Sequence, residues 1–193
     1  MRVDPISIDG AHVITPRRHQ DSRGSFLEWY RADLLAAEAG VPLPLAQANI
    51  SVSVRGAVRG IHFVDVPPGQ AKYVTCVGGA VLDVVVDVRP GSPTFGRWEG
   101  VPLDDRDRRA VFLSEGLGHG FCALTDDATV LYLTSSLYDP TVERCLNPLD
   151  PAVGIRWPVA EPILSDRDRA APGLHELHGL GLLPPAPAQV PAP

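Results

Sequence analysis

The stretch that decides the fold is "AKYVTCVGGAVLDVVVDVRPG", residues 71–91. It holds two apolar runs rich in valine, separated by a Gly-Gly pair, and an Arg-Pro-Gly turn follows the second run. β-branched residues favour strands, and Gly and Pro supply the backbone angles of tight turns. The second run, 80–89, is apolar on both alternating faces. It predicts a central strand on which Asp83 and Asp87 share one face.

The same alternation of short apolar runs and turn residues continues along the chain. The 20 prolines and 18 glycines separate the apolar runs, and this pattern indicates an all-β domain rather than alternating strands and helices. Strands are predicted over 11–16, 24–30, 47–54, 57–66, 71–77, 80–89, 109–114, 120–126 and 129–136. Short helices are predicted over 31–40, stopped by Gly40, and from "LSDRDRAA" (164–171) to Pro172. Such strands close as a sandwich or a jelly roll, and we favour the jelly roll.

Length and charge limit the organisation and the partners. The 193 residues fit one domain, 1–183, followed by a Pro/Ala-rich tail, 184–193, that is predicted to be disordered. A net charge of −6 makes nucleic acid and anionic membranes poor partners. There is no apolar run of signal-peptide or membrane-spanning length, and the three cysteines form no CxxC pair. These features predict reduced thiols and a cytoplasmic protein.

Several familiar motifs are absent or have the wrong spacing. The histidines of "HELH", residues 175–178, are three apart instead of the four that HExxH zinc sites need, so we expect them to be solvated. "GLGHG" lacks the GxGxxG spacing, and there is no GxxxxGK[ST] loop or GxSxG elbow. A metal-binding cupin would carry clustered ligands after His62, where Phe63, Val64 and Asp65 follow instead. A site of His62, His119 and one acid is the remaining metal alternative.

Polar side chains in the predicted strands or next to their ends indicate a polar ligand cavity, because burial of such groups is costly unless they are paired. The histidine of "RGIHF", residues 59–63, is one of them. The set is Arg23, Glu28, Gln47, Asn49, Arg59, His62, Lys72, His119, Tyr132 and Tyr138.

Longer motifs carry a resemblance to a known family. They are "DSRGSFLEWYR", "QANISVSVRGAVRGIHF", "PPGQAKYVTCVGGAVLDVVVDVRPGSPTFGRW", "GLGHGF", "YLTSSLY" and "LSDRD". In this order and spacing, over about residues 4 to 178, the chain resembles the dTDP-4-dehydrorhamnose 3,5-epimerases. The resemblance implies a cupin-type jelly-roll barrel with a few short helices, a homodimer, and epimerisation of a dTDP-linked 4-keto-6-deoxyhexose without metal or cofactor, in rhamnose or antibiotic-sugar biosynthesis.

The resemblance also implies residue roles, and the chemistry agrees with them. A ketone at C4 acidifies the hydrogens at C3 and C5, so the enzyme needs a base, a stabiliser for the enolate oxygen and an acid on the opposite face. His62 matches the base, Lys72 the enolate stabiliser and Tyr132 the proton donor. Asp168 matches the carboxylate that orients the histidine. Residues that match the substrate-binding set are Arg23, Phe26, Glu28, Gln47, Asn49, Arg59, His119 and Tyr138.

Alternatives remain open at this point. Asp168 also fits a helix cap begun by Ser165, and Asp83 fits either a partner of Lys72 or His119 or a purely structural acid. Ile61, Val64 and Ser114 depart from the family pattern. Relatives in antibiotic-sugar pathways epimerise a single carbon, so C3 alone, C5 alone or both are possible. A non-catalytic sugar-binding jelly roll and a metal-dependent cupin are less favoured.

Overall fold

The computed structural model describes residues 1–40 and 42–186. Short antiparallel strands dominate these ranges, and the three helices in them are brief, which confirms the predicted all-β class. The strands are β1 (Arg2–Pro5), β2 (Ala11–Thr15), β3 (Arg18–Asp21), β4 (Gly24–Leu27), β5 (Gln47–Ser53), β6 (Val58–Val64), β7 (Lys72–Gly78), β8 (Ala80–Asp87), β9 (Trp98–Asp104), β10 (Ala110–Leu113), β11 (Leu117–Ala123), β12 (Ala128–Thr134) and β13 (Glu143–Cys145). The helices are α1 (Ala32–Ala39), α2 (Asp166–Arg169) and α3 (Leu174–Gly179).

Two sheets form the body of a jelly roll. One has six strands in the order β1-β2-β10-β7-β12-β5, and the other has five in the order β13-β6-β11-β8-β9. Val74, Val111 and Val130 of the first sheet pack with Val85 and Phe121 of the second in one buried cluster. The sheets therefore face each other across a shared apolar core, as the predicted fold requires.

Strand β8 shows why this stretch decides the fold. Val81 and Val85 point into the core between the sheets, while Val84 and Val86 point outward into a second cluster covered by α3. β8 lies between β11 and β9, so the prediction of a central strand is correct. Both its faces carry valine because both are covered.

A third cluster lies behind the six-stranded sheet. Leu35 of α1 is completely buried there, together with Tyr73 and Phe112. α1 ends at Gly40, which adopts φ 71°, a left-handed conformation that glycine accepts without strain. The predicted helix and its stop signal are thus confirmed.

The two ends of the space between the sheets differ in chemistry. At one end Asp87 accepts hydrogen bonds from Nε and Nη2 of Arg89 at 2.8 and 2.9 Å, and both residues are buried. Asp83, four residues earlier on the same face of β8, points towards the other end, where the candidate site lies. The predicted shared face is confirmed, but the two aspartates serve different neighbours.

Four strands and one helix were not predicted. β1, β3 and β13 have only three or four residues each, too few for a periodic pattern, and β9 contains Gly100 and Pro102. The helix α3 contains "HELH", whose two histidines are exposed as expected while Leu174 and Leu177 are buried. No helix in the described ranges is long and apolar enough to cross a membrane.

The N-terminal and C-terminal parts flank the two sheets. Within the part of the chain that the structure describes, β3 and β4 pair only with each other, and nearly all of their residues are exposed. Pro184, at the start of the predicted tail, is buried. The prediction of disorder for the tail concerns mostly residues 187–193, which lie outside the described residues.

Candidate active site

A cavity of about 740 Å³ opens between the two sheets at the end away from the Asp87–Arg89 pair. A smaller space of about 330 Å³ continues from it and shares His62, Lys72 and Tyr132 as lining residues. Nine of the twelve predicted site residues line this combined cleft: Gln47, Asn49, Arg59, His62, Lys72, His119, Tyr132, Tyr138 and Asp168. The structure thus brings together residues that are more than a hundred positions apart in sequence.

Strand register places these side chains. On the six-stranded sheet, Tyr132 of β12 lies opposite Asn49 of β5. Two residues further along β12, Thr134 lies between Gln47 of β5 and Lys72 of β7. The odd-numbered residues of β5 are covered and the even-numbered ones exposed, which confirms that Gln47 and Asn49 share the inner face. On the five-stranded sheet, His62 of β6 lies opposite His119 of β11.

Two glycines allow β6 and β11 to approach closely at this point. A Cβ added to Gly60 would lie 2.6 Å from the Cα of Gly120, and one added to Gly120 would lie 2.7 Å from the carbonyl oxygen of Arg59. Gly60 also has φ 117°, a region that other residues avoid. The glycine of "RGIHF" is therefore required by the backbone, and it sets Arg59 and His62 on the strand beside His119.

His62 is held by a buried carboxylate. Its Nε2 lies 2.8 Å from Oδ1 of Asp168, which is only 3% exposed, while the imidazole itself reaches the cavity. Burial raises the pKa of Asp168, but the hydrogen bond and charge of His62, with hydrogen bonds from Cys145 and at Ser165, lower it to about 2. The carboxylate is therefore ionised and accepts a hydrogen bond from Nε2–H of His62. The proton stays on Nε2, and Nδ1 is the ring nitrogen that can accept a second proton.

Asp168 also takes part in the helix cap, but only through its backbone. Ser165 is the N-cap of α2, and its hydroxyl accepts the backbone N–H of Asp168 at 3.1 Å. The side chain of Asp168 faces His62 instead. Asp168 thus takes part in both arrangements, with different atoms.

A second imidazole–carboxylate pair lies beside the first. Nε2 of His119 is 2.8 Å from Oδ2 of Asp83, which is completely buried. Within the described residues, Oδ1 of Asp83 has no hydrogen-bond partner. The open question on Asp83 is answered by this geometry: it is the partner of His119.

Lys72 and Tyr132 carry the electrostatics of the opposite wall. Burial lowers the pKa of the Lys72 ammonium, while the negative charges of Glu143 and Asp83 raise it. Burial and Glu143 both raise the pKa of the Tyr132 phenol, and Arg59 opposes them. The phenol therefore keeps its proton, whereas for Lys72 burial outweighs the two acids and the pKa of its ammonium is lowered.

Sequence reasoning did not single out Glu143 and Arg167, which line the cleft, or Cys145, which lies beside the His62–Asp168 pair. Glu143 lines both parts of the cleft, Arg167 lies 3.5 Å from its carboxylate, and Sγ of Cys145 lies 3.3 Å from Oδ1 of Asp168. Glu143 and Cys145 belong to β13, whose three residues carry no periodic signal. Only their pairing with β6 shows that they belong to the site.

Binding groups surround this acid–base centre. Gln47 donates to Oδ1 of Asn49 at 2.7 Å and accepts the backbone N–H of Tyr138 at 3.0 Å. Arg59 is oriented by the hydroxyl of Ser53 at 3.0 Å. Polar groups fixed in this way present donors and a positive charge to a polar ligand.

Arg23, Phe26 and Glu28 lie elsewhere. They belong to the β3–β4 hairpin and the segment after it, and none of them lines the described cleft of its own chain. Arg23 pairs with Asp21, Glu28 pairs with Arg31, and Phe26 is 69% exposed. A single chain does not bring these three residues to the other nine.

A jelly roll whose inner cavity receives an imidazole from one sheet and a phenol and an ammonium from the other defines an acid–base isomerase of the cupin class. The chain belongs to the dTDP-4-dehydrorhamnose 3,5-epimerase family, whose model matches residues 5–176.

Similarity to characterised proteins extends over nearly the whole chain. A dTDP-4-dehydrorhamnose 3,5-epimerase of Mycolicibacterium smegmatis is 56% identical over 95% of this chain and 91% of its own. NovW, a 4-keto-6-deoxy sugar epimerase from the novobiocin cluster of Streptomyces spheroides, is 62% identical with a TM-score of 0.94, covering 96% and 93%. ChmJ, a 3'-monoepimerase of Streptomyces bikiniensis solved with dTDP-quinovose, is 56% identical with a TM-score of 0.91, covering 94% and 92%.

Proposed function

We propose that this protein epimerises a dTDP-linked 4-keto-6-deoxyhexose at C3, by proton removal and return through an enolate. The observation that carries the proposal is that His62 and Tyr132 enter one cavity from opposite sheets. Inversion of a carbon requires a base on one face and an acid on the other, and this arrangement supplies both. The family relatives support the class of substrate.

Each catalytic group has a defined task in this proposal. Nδ1 of His62 takes the proton from C3, while Asp168 holds the other ring nitrogen and stabilises the imidazolium that forms. The Lys72 ammonium stabilises the enolate oxygen at C4. Tyr132 gives a proton to the far face of C3. Acid, base and electrostatic stabilisation all come from side chains, so no metal or cofactor has a step in the scheme.

The nucleotide part of the substrate requires the remaining groups. Arg59 suits the diphosphate because its planar guanidinium binds two oxygens at once, and His119 lines the same cavity from β11. Gln47, Asn49 and Tyr138 line the adjoining space. The complex of ChmJ with dTDP-quinovose supports a nucleotide sugar as the ligand, and the chain's own basic and amide groups suit this division of the cleft.

We further propose a homodimer in which the β3–β4 hairpin of one protomer completes the site of the other. β5 is an edge strand, and Ile50 and Val52 on its outer face are 67% and 56% exposed. An apolar open edge is a site for pairing with a second chain. The exposed hairpin that carries Arg23 and Phe26 would then reach the partner's cleft, with Phe26 available to stack on a base.

A mixing experiment tests the shared site. His62→Ala and Arg23→Ala subunits, each inactive as a pure protein, are refolded together. If the hairpin serves the partner, a mixed dimer has one site with both residues intact, and about a quarter of the parent activity returns. If each hairpin serves its own chain, every site keeps one defect and no activity returns.

The relatives differ in whether they also epimerise C5. ChmJ is a monoepimerase acting at one position, whereas the Mycolicibacterium protein is a 3,5-epimerase. Inversion at C3 is common to both groups, which is why the proposal names C3. The three free cysteines agree with a reducing, cytoplasmic setting for deoxysugar biosynthesis.

The decisive experiment is NMR of dTDP-4-keto-6-deoxyglucose with the protein in deuterated water. Label at C3 with inverted product supports the proposal, and label at C5 as well extends it to double epimerisation. Label at C5 alone would replace C3 by C5. Label at neither carbon, in folded protein that binds dTDP, would show a non-catalytic sugar-binding protein and refute the proposal.

A further inference from the structure

Three metal-ligating side chains meet behind the imidazole of His62. They are Nε2 of His62 on β6, Sγ of Cys145 on β13 and Oδ1 of Asp168 on α2, and these atoms all lie within 4.8 Å of one another. The separations from Oδ1 are 2.8 Å to Nε2 and 3.3 Å to Sγ. Imidazole, thiolate and carboxylate are the ligands that Zn²⁺ takes in proteins. Cys145 has no task in the proposed reaction.

We propose that this cluster binds a thiophilic divalent cation such as Zn²⁺ or Cd²⁺, and that the cation switches the enzyme off by holding His62 in the wrong tautomer. Cation binding follows from the positions of the three ligands. The inhibitory consequence rests on the proposed function, in which His62 is the base.

The ligand spacing suits a tetrahedral cation after small movements. Metal–ligand distances of roughly 2.0 to 2.3 Å place neighbouring ligand atoms about 3.3 to 3.6 Å apart. Sγ and Oδ1 are already near that separation, and Nε2 and Oδ1 need to move apart by about half an ångström. Nε2 and Sγ, which lie within 4.8 Å of each other, need to approach by about 1.2 Å at most. β13 pairs with β6 so that Cys145 lies opposite His62, and α2 fixes Asp168. Each ligand therefore has an independent support.

The inhibition follows from the position of the proton on the His62 ring. Without a cation, Nε2–H donates to Asp168 and Nδ1 has the free electron pair. A cation on Nε2 takes the place of that proton, and the neutral ring then carries its proton on Nδ1. Nδ1 becomes a donor and is unable to accept the proton from C3. The thiol proton of Cys145 is released to solvent when the cation binds.

The test uses Cd²⁺, because cadmium–thiolate bonds absorb in the ultraviolet and report binding without an activity assay. The variant is Cys145→Ala, with Cys145→Ser as a second variant that keeps a hydrogen bond to Asp168 but is a poor cadmium ligand. Cys122→Ala removes a buried thiol on β11 outside the cluster. A double variant of His175 and His178 removes the exposed histidines of α3. Each protein's rate is compared with its own rate in chelator.

We expect one equivalent of Cd²⁺ to produce the thiolate band and stop epimerisation, and chelator to reverse both. In the Cys145 variants the band disappears and the half-inhibitory concentration rises at least about tenfold, while both controls match the parent. A band that is absent in the parent, or that persists in Cys145→Ala, would overturn the site. A Cys145-dependent band with an unchanged or increased rate would overturn the inhibition. Failure of the proposed function would be seen separately, because the parent protein would then show no deuterium exchange into the substrate even in the presence of chelator.

Discussion

Replacing Asp168 by Asn separates the contribution of its backbone to helix α2 from the contribution of its carboxylate to His62. The backbone N–H of Asp168 donates to Ser165, and asparagine keeps that bond. The carboxylate, however, accepts from Nε2 of His62 through Oδ1 and from the backbone N–H of Gly60 through Oδ2 at 3.4 Å. An amide has one acceptor and one donor, so either orientation of Asn sets a donor against a donor. The helix should remain, while the carboxylate that fixes the tautomer of His62 is lost.

The size of the effect follows from the pKa of Asp168. A shift from 3.8 to about 2 favours the carboxylate by about 2 kcal/mol, because each pKa unit corresponds to about 1.4 kcal/mol. Burial opposes this shift, so the favourable interactions exceed that figure. A loss of about 2 kcal/mol is roughly 30-fold in rate. The same replacement in Ser-His-Asp enzymes, where the tautomer is also lost, costs about 10⁴-fold. We expect kcat to fall by between these limits.

The assay is the rate of deuterium entry at C3, measured with the folded variant and its thermal unfolding curve. Ser165→Ala is the matched control: it removes the cap, costs about 1 kcal/mol of stability, and leaves the carboxylate on His62. Exchange in Asp168→Asn within about threefold of the parent would refute the reasoning. A loss of exchange in Ser165→Ala as large as in Asp168→Asn would show that Asp168 acts through the helix.

Four further outcomes are expected. Tyr132→Phe should lower formation of inverted product by ~10² to 10⁴-fold while deuterium still enters, whereas His62→Ala should abolish both; inversion at the parent rate would exclude Tyr132 as donor. Activity should survive exhaustive chelation, and activity restored only by added metal would contradict the mechanism. Because the pKa of Asp168 is lowered in the folded state, the stability that it contributes is complete above about pH 5 and is lost as the pH falls towards 2. Urea unfolding of the parent and Asp168→Asn should therefore converge at low pH, and a constant difference would contradict this. Ile50→Lys on the exposed edge strand should give a monomer by light scattering with little activity. Leu180→Lys, at a similarly exposed position at the end of α3, should leave the dimer intact.

The sequence by itself determined the elements that carry a periodic signal. Valine on both faces of 80–89 required a covered strand, and Gly40 marked the end of α1. Most of the candidate site could also be named, because long motifs kept their spacing and nine of the twelve residues converge on one cleft. Local pattern was sufficient where the information lies in neighbouring residues.

Only the tertiary structure decided which side chains meet. Asp83 became the partner of His119, and Asp168 the partner of His62, because strands far apart in sequence lie side by side. Glu143 and Cys145 entered the site through a three-residue strand that is too short to be recognised locally. Arg167 lies on α2, a predicted helix, but its position beside Glu143 depends on the packing of α2 against the sheet. The hairpin with Arg23 and Phe26 stayed outside its own cleft. Contacts between distant segments are fixed by sheet register and packing, and no periodicity within a segment encodes them.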